Sequence, residues 1–130
     1  NMLEETAKEC KKLGFKSVGV LATTGTKSTE IYDKALKSYG IQVVYPDKAG
    51  QETLMSIIYD YVKAGQPITG EKFRKELEAM QKEGAQAFVL GCTELPMVFQ
   101  DGDMGIRFID SLDVLAKRTV ELAGYPLKQF

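Results

Sequence analysis

The chain has 130 residues, 44% of them hydrophobic, with 17 basic against 18 acidic side chains and a net charge of −1. One domain with a sizeable core is expected, and the charge balance offers no attraction to nucleic acid or to an anionic membrane surface. Histidine is absent and only two cysteines occur, Cys10 and Cys92. That excludes Ser-His-Asp and Cys-His triads built within the chain, a disulfide scaffold and nearly all zinc sites.

No apolar run reaches the roughly 20 residues that a membrane-spanning helix needs, and no signal-peptide pattern opens the sequence. A cytoplasmic location with both thiols reduced is the expectation, with no metal. The opening "NMLEETAKEC" lacks an initiator methionine and lies already inside a helical pattern, as expected of a cut end.

In chain order, Met2, Leu3, Ala7, Cys10 and Leu13 have the spacing of an amphipathic helix over 2–13, with Gly14 as its C-terminal stop. "SVGVLA", 17–22, is short, apolar and β-rich, the pattern of a buried strand. "TTGT", 23–26, reads as a turn, after which Thr26 or Ser28 caps a helix running to Tyr39. "GIQVVYP" gives a second strand at about 41–45. Residues 51–64 form a helix with Leu54, Ile57, Ile58 and Tyr61 facing inward. "GQPITG" is a loop, and Thr69 or Gly70 opens a helix over 71–83. "AQAFVLG", 85–91, is the third strand and "RFID", 107–110, the fourth. Ser111 then caps a last helix, apolar at Leu112, Leu115, Ala116 and Leu122 and ending at Gly124.

Strands that alternate with helices predict βαβ units: an α/β domain with a parallel four-stranded sheet flanked by helices. Ligands of such sheets bind beyond the carboxyl ends of the strands. Those ends carry "ATTGT", "GCTELP" and "DS".

Cys92 stands just past the third strand, ahead of a short helical turn. Backbone N–H groups there favour a thiolate and lower its pKa from the free value of about 8.5; the alternative is a small buried apolar residue. Cys10, on a helix between Glu9 and Lys11, reads as packing. Thr93 offers a hydroxyl and an N–H to a carboxylate, or is a plain N-cap. Glu94 tunes the thiol or binds an ammonium group, or is a first-turn acid that suits the helix dipole. "ATTGT" supplies three hydroxyls and a glycine where a helix begins, an anion site in principle, though neither GxGxxG nor a P-loop. Lys63, at a helix end, complements the dipole on local pattern alone.

Taken together, "VGVLATTGT" with the following Tyr32, "IYDYVKAG", "AFVLGCTELP" and "FIDSLDVLAKRTVELAG" resemble the aspartate/glutamate racemase family in order and spacing, over almost the entire chain. "GCTE" is the most specific piece and is closer to the aspartate branch, because glutamate racemases usually carry a histidine where Glu94 stands. The resemblance implies one of the two similar α/β domains of the racemase fold, with an active site between domains and no cofactor. It implies that Cys92 is one of two cysteines facing opposite sides of the substrate Cα. Thr93 then helps to hold the α-carboxylate, Thr26 and less surely Thr23 turn hydroxyls to the substrate, and Lys63 reaches a side-chain carboxylate.

The family's first cysteine lies upstream of any residue here, and Cys10 does not match its motif. The expected organisation is a linking helix over 1–16, a C-terminal α/β domain over 17–110, and a closing helix over 111–130 that would pack on an N-terminal domain. Expected partners are an acidic amino acid, that N-terminal domain and a second copy in a homodimer, with no nucleic acid and no membrane. Without the N-terminal domain, residues 2–13 and 112–123 are expected to pack on each other or on a second chain. Competing readings are a related thiol decarboxylase or isomerase of small dicarboxylic acids, a non-catalytic dicarboxylate-binding domain, and a redox-sensing thiol.

Overall fold

The structure, a computed structural model, describes residues 1–65 and 68–122, with Val62 and Lys63 described by backbone alone. Four strands, β1 (Ser17–Leu21), β2 (Gln42–Val44), β3 (Phe88–Leu90) and β4 (Phe108–Asp110), form one sheet in the order β2-β1-β3-β4. Every pairing is parallel. Leu21 stands opposite Leu90, and Leu90 opposite Asp110.

A parallel sheet needs cover on both faces, which is why β1 and β3 read as unbroken apolar runs. Val18, Val20, Val89 and Ile109 face a cluster with Ala7, Cys10, Tyr32 and Leu36. These come from helices α1 (Met2–Lys12) and α3 (Ile31–Lys37). Leu21, Phe88, Leu90 and Phe108 face the other cluster, with Leu54, Ile58, Phe73 and Leu77. Helices α4 (Lys48–Ala64) and α5 (Arg74–Lys82) supply most of that cover. Burying each such aliphatic or aromatic side chain contributes roughly 1.5–3 kcal/mol.

Several boundaries differ from the sequence reading, and β3 begins at Phe88 rather than residue 85. The segment after β1 is two helices, α2 (Thr24–Ser28) and α3, broken at Glu30, which adopts a left-handed φ of 58°. Neither Thr26 nor Ser28 is the cap: Thr23 caps α2, and Glu30 makes no side-chain cap bond. Helix α4 starts at Lys48 rather than residue 51, because the Asp47 carboxylate accepts from Gly50 N at 2.7 Å. The fifth helix is preceded by a 3-10 turn at Gly70–Phe73.

The cap of the last helix, α6 (Ser111–Leu122), is Asp110 rather than Ser111. Its Oδ1 accepts from Leu112 N at 3.0 Å and Asp113 N at 3.3 Å. The predicted end at Gly124 lies outside the described residues. Helix α6 lies alongside α1, where Arg118 pairs with Glu5 at 3.5 Å and Val114 packs on the Ala7 and Cys10 cluster. Thus the two helices expected to seek a partner pack on each other. Among the described residues, no helix is long and apolar enough to cross a membrane.

Candidate active site at the ends of three strands

The register brings three strand ends side by side. Gly91 N donates to Leu21 O at 2.8 Å, so the β1–β3 ladder continues to the residue before Cys92. Thr23 and Cys92 each stand two residues past in-register partners on neighbouring strands, which run about 4.8 Å apart. Ser111 follows Asp110, the partner of Leu90 on the far side.

Cys92 is half-buried and lines a small cleft of about 70 Å³ with Met2, Gly91, Thr93, Asp110 and Ser111. Its thiol donates a 2.6 Å hydrogen bond to Glu94 Oε2. Burial pushes the thiol above its ordinary pKa, and the Glu94 carboxylate pushes it further. The backbone N–H groups of Glu94 and Thr93 pull downward, as the sequence reading expected, but they are outweighed. The expected lowering of the Cys92 pKa is therefore corrected to a raising: partial burial and a carboxylate acceptor together favour the protonated sulfur. Glu94 is the matching half. The Cys92 thiol, its own N–H and Thr93 hold its carboxyl below the usual range. Thr93 is exposed and does not cap the following 3-10 turn, Leu95–Met97, whose N-cap is Glu94.

The first turn is a preset pair of hydroxyls. Thr23, extended at φ −65° and ψ 156°, caps α2 by accepting from Thr26 N at 3.2 Å. Its hydroxyl donates to Thr26 Oγ1 at 3.1 Å. Helix α4 braces this turn. Buried Gln51 donates from Nε2 to Ala22 O at 2.9 Å and to Thr24 Oγ1 at 3.4 Å, while Met55 Sδ accepts from Thr24 N at 3.4 Å.

The same helix reaches the other turn, where Tyr61 donates to Met97 Sδ at 2.9 Å. Lys63 belongs to the last turn of α4, beside Tyr61, and its side chain lies outside the described residues. Cys10 is fully buried on α1 with its thiol pushed up to about 12, chiefly by burial.

The sequence reading passed over Gln51, and it named Tyr32 and Ser111 without joining them. Gln51 had a usable signal: it precedes Leu54 by three and Ile58 by seven, so a polar side chain falls on a buried helical stripe. Its Oε1 is buried without a hydrogen-bond partner. Tyr32 and Ser111 are buried and joined to each other. Only the three-dimensional register reveals that contact, because 79 positions separate them.

A half-buried thiol that donates to a carboxylate, one strand over from a turn that carries two hydroxyls, is a site suited to acid–base chemistry on a small polar ligand. The sequence profile of the Asp/Glu/Hydantoin racemase family matches residues 1–119, and the chain belongs to that family. The fold is shared with solved relatives. An aspartate racemase homologue from Pyrococcus horikoshii OT3 superposes with a TM-score of 0.84 at 29% identity, over 95% of this chain and 55% of that one. Picrophilus torridus aspartate racemase superposes with a TM-score of 0.77 at 35% identity, over 98% and 54%. An uncharacterized protein encoded in the pnlA 3' region of Pectobacterium carotovorum subsp. carotovorum is 30% identical over 124 residues, 93% of this chain and 82% of the relative. The chain thus spans about half the length of the solved proteins it matches.

Proposed function

We propose that this chain forms one side of the active site of a cofactor-independent amino-acid racemase acting on aspartate or glutamate. In this reading Cys92 works as an acid and base on one face of the substrate Cα. The observation that carries it is the Cys92–Glu94 pair at the end of β3, with the thiol donating at 2.6 Å in a half-buried cleft. Membership of the racemase family supports the reaction class.

The chemistry balances as a two-base exchange. When Cys92 is the donor, its S–H proton passes to Cα as a base on the opposite face removes the original one. In the reverse direction the Cys92 thiolate takes the Cα–H proton, and the electron pair of that bond moves onto the α-carboxylate as an enediolate. An acid on the far face then delivers a proton and leaves the inverted centre. That second group comes from a domain outside this chain.

Thr93 and the hydroxyls of Thr26 and Thr23 hold the α-carboxylate, and Lys63 reaches the side-chain carboxylate. Glu94 keeps the resting thiol protonated, so Cys92 stands ready as the donor. An incoming substrate ammonium group that engages Glu94 weakens that hold and frees the sulfur to act as base.

The test is to incubate the full-length protein, this chain together with the domain that faces it, with each enantiomer of aspartate and glutamate, and separately with malonate-type acids. The products are then resolved by chiral chromatography with carbon dioxide measured alongside. Interconversion of enantiomers that Cys92→Ser abolishes supports the racemase. Release of carbon dioxide without interconversion would favour the decarboxylase reading instead.

A further inference from the structure

Tyr32 and Ser111 lie at the back of the site and have no part in the acid–base steps above. Tyr32 is 2% exposed and Ser111 1% exposed. The phenol donates to Ser111 Oγ at 3.3 Å, tying α3 to the residue that follows β4. The Tyr32 ring also lies against the backbone of Gly91. A Cβ placed on Gly91 would stand 2.9 Å from the Tyr32 hydroxyl oxygen and 3.0 Å from its Cε2. No side chain fits there, so the glycine allows the ring to rest on the peptide that leads into Cys92. Ser111 and Cys92 line the same small cleft.

We propose that the buried Tyr32–Ser111 hydrogen bond makes Tyr32 a positioning residue for Cys92: it fastens the ends of β3 and β4 and, through Gly91, fixes where the Cys92 sulfur stands relative to Glu94. This deepens the reading of Cys92 as the reactive group and rests on it. A tyrosine is required because a phenylalanine ring would still cover Gly91 but would not be anchored to Ser111. Ser111 is required because an alanine there would leave the buried phenol without its acceptor. Once the anchor is lost, the Gly91–Cys92 peptide gains freedom and the sulfur no longer sits on the carboxylate. Among the described residues, the titratable groups that face Cys92 are Glu94 on its own loop, Tyr32 from α3 and Asp110 at the end of β4. Helix α1 contributes only Met2 to the cleft.

The experiment follows the rate at which iodoacetamide alkylates Cys92 as a function of pH. It compares the unsubstituted protein, Tyr32→Phe, Ser111→Ala and the double variant, each also assayed for thermal unfolding. Each single variant should shift the profile to lower pH and speed alkylation near neutral pH by about threefold or more. The double variant should change it no further than either alone, as expected of two residues acting through one bond. Profiles superimposable on that of the unsubstituted protein, even with lowered unfolding temperatures, would assign the pair a purely structural role and overturn the proposal. So would single effects that simply add. Should Tyr32→Phe fail to fold, Ser111→Ala alone decides between these outcomes. Alkylation reports on the thiol and not on turnover, so a chain that racemises nothing still gives a result.

Discussion

The Cys92 sulfur and Glu94 Oε2 stand 2.6 Å apart, with the proton on sulfur, two residues apart in the chain on the loop that leaves β3. The short link is possible because β3 ends at Leu90 and, after Gly91, the chain turns toward the 3-10 turn Leu95–Met97. A carboxylate so close resists formation of a second negative charge beside it. Glu94→Gln should therefore move the pH profile of Cys92 alkylation to lower pH and raise the rate near neutrality. An unmoved profile would show that burial alone sets the thiol.

The two thiols should separate cleanly. Cys10 has no exposure, whereas Cys92 lines an open cleft. Mass spectrometry after brief treatment with iodoacetamide should find one carbamidomethyl group per folded chain, on Cys92. Cys10 should react only after unfolding. Rapid labelling of Cys10 would mean that α1 leaves the sheet readily.

Cys10 also sets a stability window. Its pKa is raised from 9.0 to about 12, so the folded state holds a proton that the unfolded chain releases in this range. The stabilisation is complete below pH 9.0 and is lost as pH rises toward about 12, at no more than about 1.4 kcal/mol per pH unit. Urea melts across that window should fall less steeply for Cys10→Ala than for the unsubstituted protein. Parallel slopes would remove Cys10 from the account.

Two glycines should respond oppositely to alanine. At Gly19, opposite Phe88 in the first pair of the β1–β3 register, a Cβ would stand 2.5 Å from Phe88 Cδ1 and 2.8 Å from Met80 Cε. Gly19→Ala should destabilise the protein by about 1–3 kcal/mol or more. At Gly25, inside α2, nothing lies within 4 Å. Gly25→Ala should be neutral, or stabilising by about 0.5–1 kcal/mol. Chemical denaturation of both variants checks the contrast.

The Thr23 cap can be separated from its neighbour. Thr23→Ala removes the acceptor of Thr26 N and the partner of Thr26 Oγ1, and should cost about 1 kcal/mol. Thr23→Ser keeps the oxygen and should recover most of that loss in the same denaturation assay.

Much of this architecture was legible in the sequence because a parallel sheet imposes its own signature. "SVGVL" and "FVL" are apolar without alternation, as strands covered on both faces must be, and Gly14 closes α1 with a positive φ of 82°. The break between α2 and α3 was not legible. It falls at Glu30, a residue with no bias toward the left-handed region, in a polar run where caps and interiors look alike. The early start of α4 was masked by Gly50, which reads as a breaker but is buried against Pro46 and the Asp47 cap. Cys92 was located from its position at a strand end, but its protonation was misjudged. Sequence shows the N–H groups of the turn, whereas the balance against burial and the Glu94 carboxylate depends on distances.

The most direct test of the central claim is loss of the α-proton NMR signal of aspartate and glutamate in D₂O, with Cys92→Ser beside the unsubstituted chain. The account predicts that exchange occurs for one enantiomer of an acidic amino acid, rises with pH as the thiol ionises, and disappears in Cys92→Ser. An α-proton retained in all four amino acids, or exchange that persists without the Cys92 sulfur, would contradict it.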